Sequence, residues 1–184
     1  MKKLLGKSLF KLAGWQYHVD ESLLEDKQVL IGFEHTSNLD AILFMALCAI
    51  VGIRANTMIK KEAFTGPLKP LLTRLGGIPV DRTSKKDLVG QMVDEFQKNR
   101  QFSLAIAPEA TRAKDGAARK PIKTGFWHIA KAANVPIILM YANPKTKMGG
   151  IFAKIYPTLL EDDLQLIKAK YAELGIEINL PSTL

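Results

Sequence analysis

The chain has 184 residues, which is enough for one domain with a substantial apolar core. Its 47% hydrophobic and 24% charged residues are ordinary for a globular protein and exclude a largely disordered chain. The net charge of +8 indicates a negatively charged partner, such as a phosphorylated small molecule, an acidic membrane surface or nucleic acid. The single cysteine, Cys48, excludes an internal disulfide and is typical of a protein from a reducing compartment.

Residues 1–15 hold four lysines and no acidic residue. Apolar side chains at positions 5, 9 and 12, with lysines between them, predict an amphipathic basic helix. Such a helix suits an anionic bilayer surface, and it is also compatible with a terminal helix that packs on the domain and leaves its lysines in water. We therefore expect a basic N-terminal segment over residues 1–20 and one domain over residues 21–184.

Short apolar runs alternate with longer amphipathic segments along the rest of the chain. The apolar runs predict strands over residues 29–33, 55–59, 102–107, 135–141 and 151–155. The segments between them predict helices over residues 39–53, 65–75, 84–99, 125–133 and 159–174. Residues 78–82 contain Pro79 and predict an edge strand or an extended segment. This alternation predicts an α/β fold: a single domain with a mostly parallel central sheet flanked by helices, preceded by the basic helix.

The most apolar segment of the chain, residues 39–53, is too short to span a membrane and carries a charge at Asp40. We therefore interpret it as a buried helix. The first twenty residues lack the long apolar core of a signal peptide. The sequence thus predicts neither a membrane-spanning helix nor a secreted protein.

His35 and Asp40 mark the junction between the first predicted buried strand and this helix. A histidine can accept a proton at neutral pH, and a bonded carboxylate fixes its tautomer. Five residues along a continuous helix would turn the two side chains roughly 140° apart, so they can meet only if His35 precedes the helix. The pair is either a general base with its orienting acid or a loop histidine beside a first-turn helix acid. No serine elbow accompanies it, so a nucleophile here would be a hydroxyl of the substrate.

Two further turns carry charges. Arg82 follows a Gly-Gly-Ile-Pro-Val-Asp segment, where it can hold a phosphate through two hydrogen bonds or form an ordinary surface pair with Asp81. Glu109 and Arg112 follow the predicted strand 102–107, and ligands of parallel sheets collect at the carboxyl ends of strands. This second turn is equally compatible with an ordinary charged surface turn.

Four segments, taken in order, resemble the four sequence blocks of the glycerolipid acyltransferases, meaning the lysophosphatidic acid (1-acylglycerol-3-phosphate) acyltransferases and their relatives. They are residues 35–40 (His-Thr-Ser-Asn-Leu-Asp, an HxxxxD motif), 76–82 (Gly-Gly-Ile-Pro-Val-Asp-Arg), 108–112 (Pro-Glu-Ala-Thr-Arg) and 135–138 (Val-Pro-Ile-Ile). The likeness covers residues 29–141. The chain departs from the family pattern at Ala107, Ala110 and Leu139, which stand where the family usually has Phe, Gly and a second Pro. These departures leave the identity of the acceptor open.

The resemblance implies direct transfer of a fatty acyl group from a thioester donor, acyl-CoA or acyl-ACP, to a hydroxyl of a lysophospholipid-type acceptor such as 1-acylglycerol-3-phosphate. It makes residues 21–184 the acyltransferase domain, with His35 as general base and Asp40 as its orienting partner. Acceptor binding is assigned by the resemblance to Lys61, Arg82, Glu109, Thr111 and Arg112, and acyl binding to Pro136. It implies no metal, no covalent enzyme intermediate and no cofactor apart from the donor.

Together with the basic N-terminal helix, the resemblance implies a cytoplasmic protein held peripherally on the inner face of the membrane. Few aromatic residues lie among the basic loops, so we expect no nucleic-acid partner. Two other functions stay open. One is non-catalytic binding of anionic lipid at a membrane surface, and the other is hydrolysis of an acyl thioester by the same base acting on water.

Overall fold

The computed structural model describes residues 2–33, 38–81, 85–109 and 121–182. Within these ranges the chain forms six α-helices and seven strands. The helices are α1 (Lys2–Leu12), α2 (Asn38–Ile50), α3 (Lys69–Arg74), α4 (Lys85–Lys98), α5 (Gly125–Ala133) and α6 (Leu160–Ala172). The strands are β1 (Gln16–Val19), β2 (Lys27–Phe33), β3 (Ala55–Lys60), β4 (Gly77–Val80), β5 (Phe102–Ile106), β6 (Ile137–Asn143) and β7 (Met148–Ile155).

The strands form one sheet in the order β1-β7-β6-β2-β5-β3-β4. Strands β2 to β6 run in the same direction, β7 is antiparallel to β6, and β1 is parallel to β7. The apolar run of residues 29–33 lies in the middle strand, β2, and it is apolar throughout because helices cover both of its faces. The prediction of an α/β fold with a mostly parallel sheet flanked by helices is confirmed. The Pro79-containing segment is the edge strand β4, as the proline predicted.

The helices lie in two layers, one on each face of the sheet. In the α4–α6 layer, side chains such as Phe96, Ile129 and Ile167 join one apolar core. In the α1–α3 layer, Phe10 and Leu47 join a second, smaller core on the opposite face. The connections β2-α2-β3 and β3-α3-β4 proceed in the same direction along the sheet. Because crossovers between parallel strands are right-handed, their helices lie on the same face, so α3 belongs to the second layer with α2.

Helix α1 is the predicted basic helix, but only part of its predicted apolar face turns inward. A Cβ at Gly6 would lie 2.6 Å from the carbonyl oxygen of Ala46, so this close approach of α1 to α2 requires glycine. Leu9 is partly buried against the same core, whereas Leu5 and Leu12 are exposed. The helix therefore packs on the domain and also presents leucines to the outside.

Three other features differ from the sequence predictions. The four residues of β1 alternate between exposed and half-buried positions, so this edge strand has no apolar run from which the sequence could predict it. Helix α3 begins at Lys69 rather than at residue 65, because a short 3₁₀ helix (Lys61–Phe64) and Gly66, with φ of +87°, come first. The interpretation of the 39–53 segment as a buried helix is wrong for one side of α2, where large apolar side chains are exposed. The division at residue 20 stays a prediction.

Tyr171 ties α6 to the middle of the sheet. Its completely buried hydroxyl donates a hydrogen bond to the carbonyl of Met140 at 2.6 Å and lies 3.3 Å from the carbonyl oxygen of Ile31. Met140 borders a β-bulge, where the register between β6 and β7 shifts. The rings of Phe33 and Phe152 contact the tyrosine ring edge-on. Burial raises the pKa of Tyr171 well above its usual value, so the hydroxyl keeps the proton that it donates.

We expect Tyr171→Phe to lower the free energy of unfolding by about 1–3 kcal/mol, because a buried carbonyl loses its donor. Urea denaturation followed by circular dichroism measures the change. The matched control is Tyr17→Phe, at a half-buried tyrosine of the edge strand β1, which should cost less than about 0.5 kcal/mol. Equal losses in the two variants would contradict the role of the hydroxyl.

Candidate active site

The carboxyl ends of the parallel strands meet along one edge of the sheet, here called the carboxyl edge. Three predicted site residues that the structure describes follow strands that end there. Asp40 lies in the first turn of α2, which follows β2, Lys61 directly follows β3, and Glu109 comes three residues after β5. Polar side chains thus collect where ligands of parallel sheets bind.

Asp40 is a carboxylate in a buried position. It is only 6% exposed. Its place in the first turn of α2 puts it at the positive end of the helix dipole, which favours a negative charge. Burial of a carboxylate is costly unless hydrogen bonds or charges compensate it. Asp40 also contributes to the wall of a cavity, so the buried carboxylate and an open space lie side by side.

This cavity, of about 380 Å³, lies between α2 and the sheet. Gly32, Ala105 and Met140 line it from β2, β5 and β6, and Leu43 and Leu47 line it from α2. Its wall is therefore mostly apolar. The volume falls within the roughly 300–1,000 Å³ that is typical of small-molecule sites. A long, apolar ligand with one reactive polar end matches a cavity of this composition.

Lys61 forms an ion pair with Asp81, the residue directly before Arg82 in the sequence. The hydrogen bond from Lys61 to Asp81 raises the pKa of Lys61 above its usual value. Gln91 of α4 brackets the backbone of Asp81: its Oε1 accepts the N–H at 3.2 Å, and its Nε2 donates to the carbonyl at 3.4 Å. Sequence reasoning missed Gln91. The available signal was a polar side chain within the mostly apolar face of a helix.

Glu109 is half-buried beyond the end of β5. Burial is the main cause of the raised pKa of Tyr171, and the charge of Glu109 raises that pKa further. The backbone N–H of Lys123 donates to the carbonyl of Pro108 at 2.9 Å. That bond joins the start of the third sequence block to the segment that leads into α5.

Four of the predicted site residues, His35, Arg82, Thr111 and Arg112, lie outside the described residues. Their roles stay predictions. In the sequence, His35 comes two residues after the end of β2, and Arg82 two residues after the end of β4.

Pro136 lies at the opposite edge of the sheet from Asp40. It is buried directly before β6, and its carbonyl accepts the N–H of Val29 near the start of β2. Val29 is four residues from Phe33 at the carboxyl end of the same strand, a distance of about 13 Å along an extended chain. The structure therefore does not bring Pro136 together with the cavity, whose lining does not include it. Its assignment to acyl binding stays a prediction.

The Acyltransferase family model matches residues 15–142, which is more than half of the chain. The chain belongs to the acyltransferase family. The match includes β2, α2 and the cavity-lining strands β5 and β6 almost to its end.

Two plant proteins named 1-acyl-sn-glycerol-3-phosphate acyltransferase are among the relatives of this acyltransferase-family chain. The protein from Limnanthes alba is 30% identical over 142 residues, and that from Limnanthes douglasii is 29% identical over 142 residues. In both cases the alignment covers 74% of this chain and 48% of the relative, so the chain spans about half of their length.

The fold is similar to the crystal structure of the 1-acyl-sn-glycerophosphate (LPA) acyltransferase from Thermotoga maritima. The superposition covers 96% of this chain and 79% of that protein, with a TM-score of 0.64 and 16% identity. Among the described residues of our chain, no helix combines the length and the apolar character needed to cross a bilayer.

Gly32 offers a direct test of the cavity. A Cβ added there would lie 3.7 Å from the carbonyl oxygen of Met140, an ordinary contact, so a larger side chain can extend into the cavity. We expect Gly32→Leu to weaken the binding of a long-chain probe, cis-parinaric acid, on the order of tenfold, because it occupies apolar space. Fluorescence titration measures this affinity.

The matched control is Gly90→Leu on α4, where an added Cβ meets nothing within 4 Å. This variant should bind the probe like the unsubstituted protein. If both variants bind equally well, the probe does not occupy the cavity between α2 and the sheet.

Proposed function

We propose that this protein transfers a fatty acyl group from an acyl thioester, on coenzyme A or acyl carrier protein, to a hydroxyl of a lysophospholipid-type acceptor such as 1-acylglycerol-3-phosphate. One observation carries the proposal. In a chain of the acyltransferase family, the buried Asp40 lies in the wall of an apolar cavity at the carboxyl edge, five residues after His35. The names of the two plant relatives support the choice of acceptor.

His35 is the general base in this proposal, and Asp40 orients it. The imidazole takes the proton of the acceptor hydroxyl as the oxygen attacks the thioester carbonyl. The tetrahedral intermediate then expels the donor thiolate, which receives the proton from the imidazolium. Asp40 favours the imidazolium form and holds the ring in the tautomer that accepts the proton. The burial of Asp40 supports this role because a desolvated carboxylate acts more strongly on a neighbouring charge.

The acceptor phosphate is bound by cations at the carboxyl edge, with Arg82 as the main contact and Lys61 as a helper. An arginine suits this task because its guanidinium donates two parallel hydrogen bonds to phosphate oxygens. The ion pair between Lys61 and Asp81 supports the arrangement, since it holds Lys61 beside the residue that precedes Arg82. Glu109, Thr111 and Arg112 shape the same acceptor site.

The acyl chain occupies the apolar cavity. Its lining by α2 and by residues of five strands, and its position beside Asp40, support this assignment over one that depends on Pro136 alone. The thioester carbonyl then lies at the carboxylate end of the cavity, while the hydrocarbon chain replaces water against apolar side chains.

The protein acts peripherally at the inner face of a membrane. The exposed leucines of α1, together with its four lysines and the absence of acids from its sequence, support contact with an anionic lipid surface. The proposal needs no cofactor apart from the acyl donor.

His35→Ala tests the base. We expect kcat/KM for acyl transfer to fall by about 10²–10⁴, the usual contribution of a general base. The assay follows thiol release from acyl-CoA, and separately from acyl-ACP, with 1-acylglycerol-3-phosphate in mixed micelles. The matched control is His128→Ala, an exposed histidine on α5 in the other layer, which should keep full activity.

Three outcomes of this assay would overturn the proposal. Full activity of His35→Ala would exclude His35 as the base. Free fatty acid as the main product with acceptor present would indicate a thioester hydrolase. No turnover with either donor, combined with firm binding to anionic vesicles, would indicate a non-catalytic lipid-binding protein.

Arg82→Ala tests the phosphate contact. We expect KM for 1-acylglycerol-3-phosphate to rise by roughly tenfold or more, because a charge-assisted contact to phosphate is lost, while KM for acyl-CoA changes little. Steady-state kinetics with each substrate varied in turn measure the two values. Arg100→Ala, an exposed arginine just before β5 at the opposite edge of the sheet, is the control. A similar rise in both KM values would contradict an acceptor-specific role.

A further inference from the structure

Most exposed large apolar side chains of the described part of the chain lie on one layer of helices. Twelve such side chains are exposed, and nine of them belong to α1, α2 and α3 or to the residues that flank α3. We call these nine the apolar face: Leu4, Leu5, Leu12, Leu39, Ile42, Met45, Leu68, Leu71 and Leu75. Concentrated exposure of this kind marks a surface that contacts a partner or a membrane.

The spacing of the exposed leucines along α3 places them on one side of the helix. Leu68, Leu71 and Leu75 are separated by three and four residues, so they lie on one side of the helix. Ile42 and Met45 are separated by three residues on α2, which belongs to the same layer. The exposed leucines of α3 therefore form one stripe, and the exposed side chains of α2 form another stripe in the same layer of helices.

Positive charges border the apolar face. The sequences of α1 and α3 contain no Asp or Glu, and the acid of α2, Asp40, is buried. Lys69 and Arg74 lie on α3, and Arg54, which donates to the carbonyl of Thr73 at 3.0 Å, lies beside it. The lysines of α1 add to this rim, with Lys3 paired to Glu21 at 3.7 Å. An apolar centre with a basic rim is complementary to a bilayer that contains anionic lipid headgroups.

The cavity beside Asp40 opens onto this face. Ala41, Met45 and Leu75 line the cavity and are also exposed, so its mouth lies between α2 and the end of α3. A hydrocarbon chain that leaves a bilayer against this face reaches the cavity without crossing water.

We propose that the apolar face docks on an anionic bilayer, with the leucines of α3 inserted among the lipid chains beside α1 and the exposed stripe of α2. This inference rests on the proposed membrane location and extends it, because it names α3 as an inserting element and places the cavity mouth on the lipid. It does not depend on acyl transfer.

Co-sedimentation with vesicles tests the inserted element. We expect the double variant Leu68→Ser/Leu71→Ser to lose roughly tenfold or more in binding to vesicles of mixed phosphatidylcholine and phosphatidylglycerol. These two leucines do not line the cavity. The matched control is Leu159→Ser/Leu166→Ser, at leucines 65% and 46% exposed against 59% and 52% for the test pair. The control pair lies at the start of α6 and on α6, in the other layer.

We also expect vesicle binding to depend on the charge of the lipid headgroups. Vesicles of phosphatidylcholine alone should bind the unsubstituted protein more weakly, and added salt should weaken the binding to mixed vesicles. Equal binding by both double variants would overturn the proposal, provided that circular dichroism shows both to be folded. So would equal binding to the two kinds of vesicle.

A label on α3 reports insertion directly. Burial raises the pKa of Cys48 to about 12 and shields its thiol, so a cysteine introduced on the surface is the reactive one. A nitrobenzoxadiazole label on Leu71→Cys should be quenched by brominated lipid chains, whereas the same label on Leu166→Cys should not. Absence of quenching at position 71 would overturn the insertion of α3.

Two further measurements separate the alternatives. If a second copy of the chain covers the apolar face, analytical ultracentrifugation will show a dimer that Leu68→Ser/Leu71→Ser dissociates while vesicle binding is unchanged, and that result would overturn the proposal. The His35→Ala variant should bind vesicles as the unsubstituted protein does. Its loss of activity and the loss of binding in the α3 variant thus report on different proposals.

Discussion

The arrangement of residues at the carboxyl edge depends on one constraint, which is that the carboxylate of Asp40 is buried in the wall of a mostly apolar cavity. Asp40 has to be buried there and its charge has to be compensated, because an uncompensated buried carboxylate would cost several kcal/mol. The start of α2 supplies one favourable term, since the helix dipole is positive at that end. Asp40 can gain this term only because α2 begins within a few residues of the end of β2.

The two layers of helices differ in their roles: one contains the larger apolar core, and the other contains the cavity. The α4–α6 layer has a continuous core, and its buried Asp163 accepts hydrogen bonds from the indole of Trp127 and from the backbone N–H and hydroxyl of Thr158. The α1–α3 layer has a smaller core and encloses the cavity. The larger apolar core and the ligand cavity thus lie mainly on opposite faces of the sheet. The cavity on one face therefore need not reduce the packing of the core on the other face.

The sequence was informative wherever burial decides the residue type. Strands β2, β5 and β6 are covered on both faces, so they carry apolar runs that a strand pattern detects, and α5 has its predicted bounds because Thr124 and Asn134 flank an amphipathic segment. The charges that follow β2, β3 and β5 were recognisable because topology places strand ends together. For His35 and Arg82 the residue chemistry left two roles open each, and only the likeness to family motifs favours the catalytic and phosphate-binding roles.

Other features depend on neighbours that are distant along the chain, so the sequence did not reveal them. Strand β1 pairs with a strand more than a hundred residues away, and a four-residue edge strand needs no apolar pattern. The apolar run of α2 predicted burial on all sides, but one side is exposed. Whether another element covers a given side of a helix cannot be read from the residues of that helix alone. The position of Pro136 at the far edge of the sheet and the contact of Gln91 with Asp81 depend on packing between distant elements. These are properties of the assembled fold rather than of any segment.

The pairing of β1 with β7 also orders the assembly of the chain. Strand β1 hydrogen-bonds only to β7 among the described strands, and Phe10 of α1 packs where Gly149 of β7 leaves room for its ring. During synthesis, residues 2–19 therefore have no sheet partner until residues 148–155 have been made. For most of that time the basic helix is without part of its eventual support. The order of elements along the chain thus allows α1 to pack on α2 early, but delays its contact with the sheet until β7 has been made.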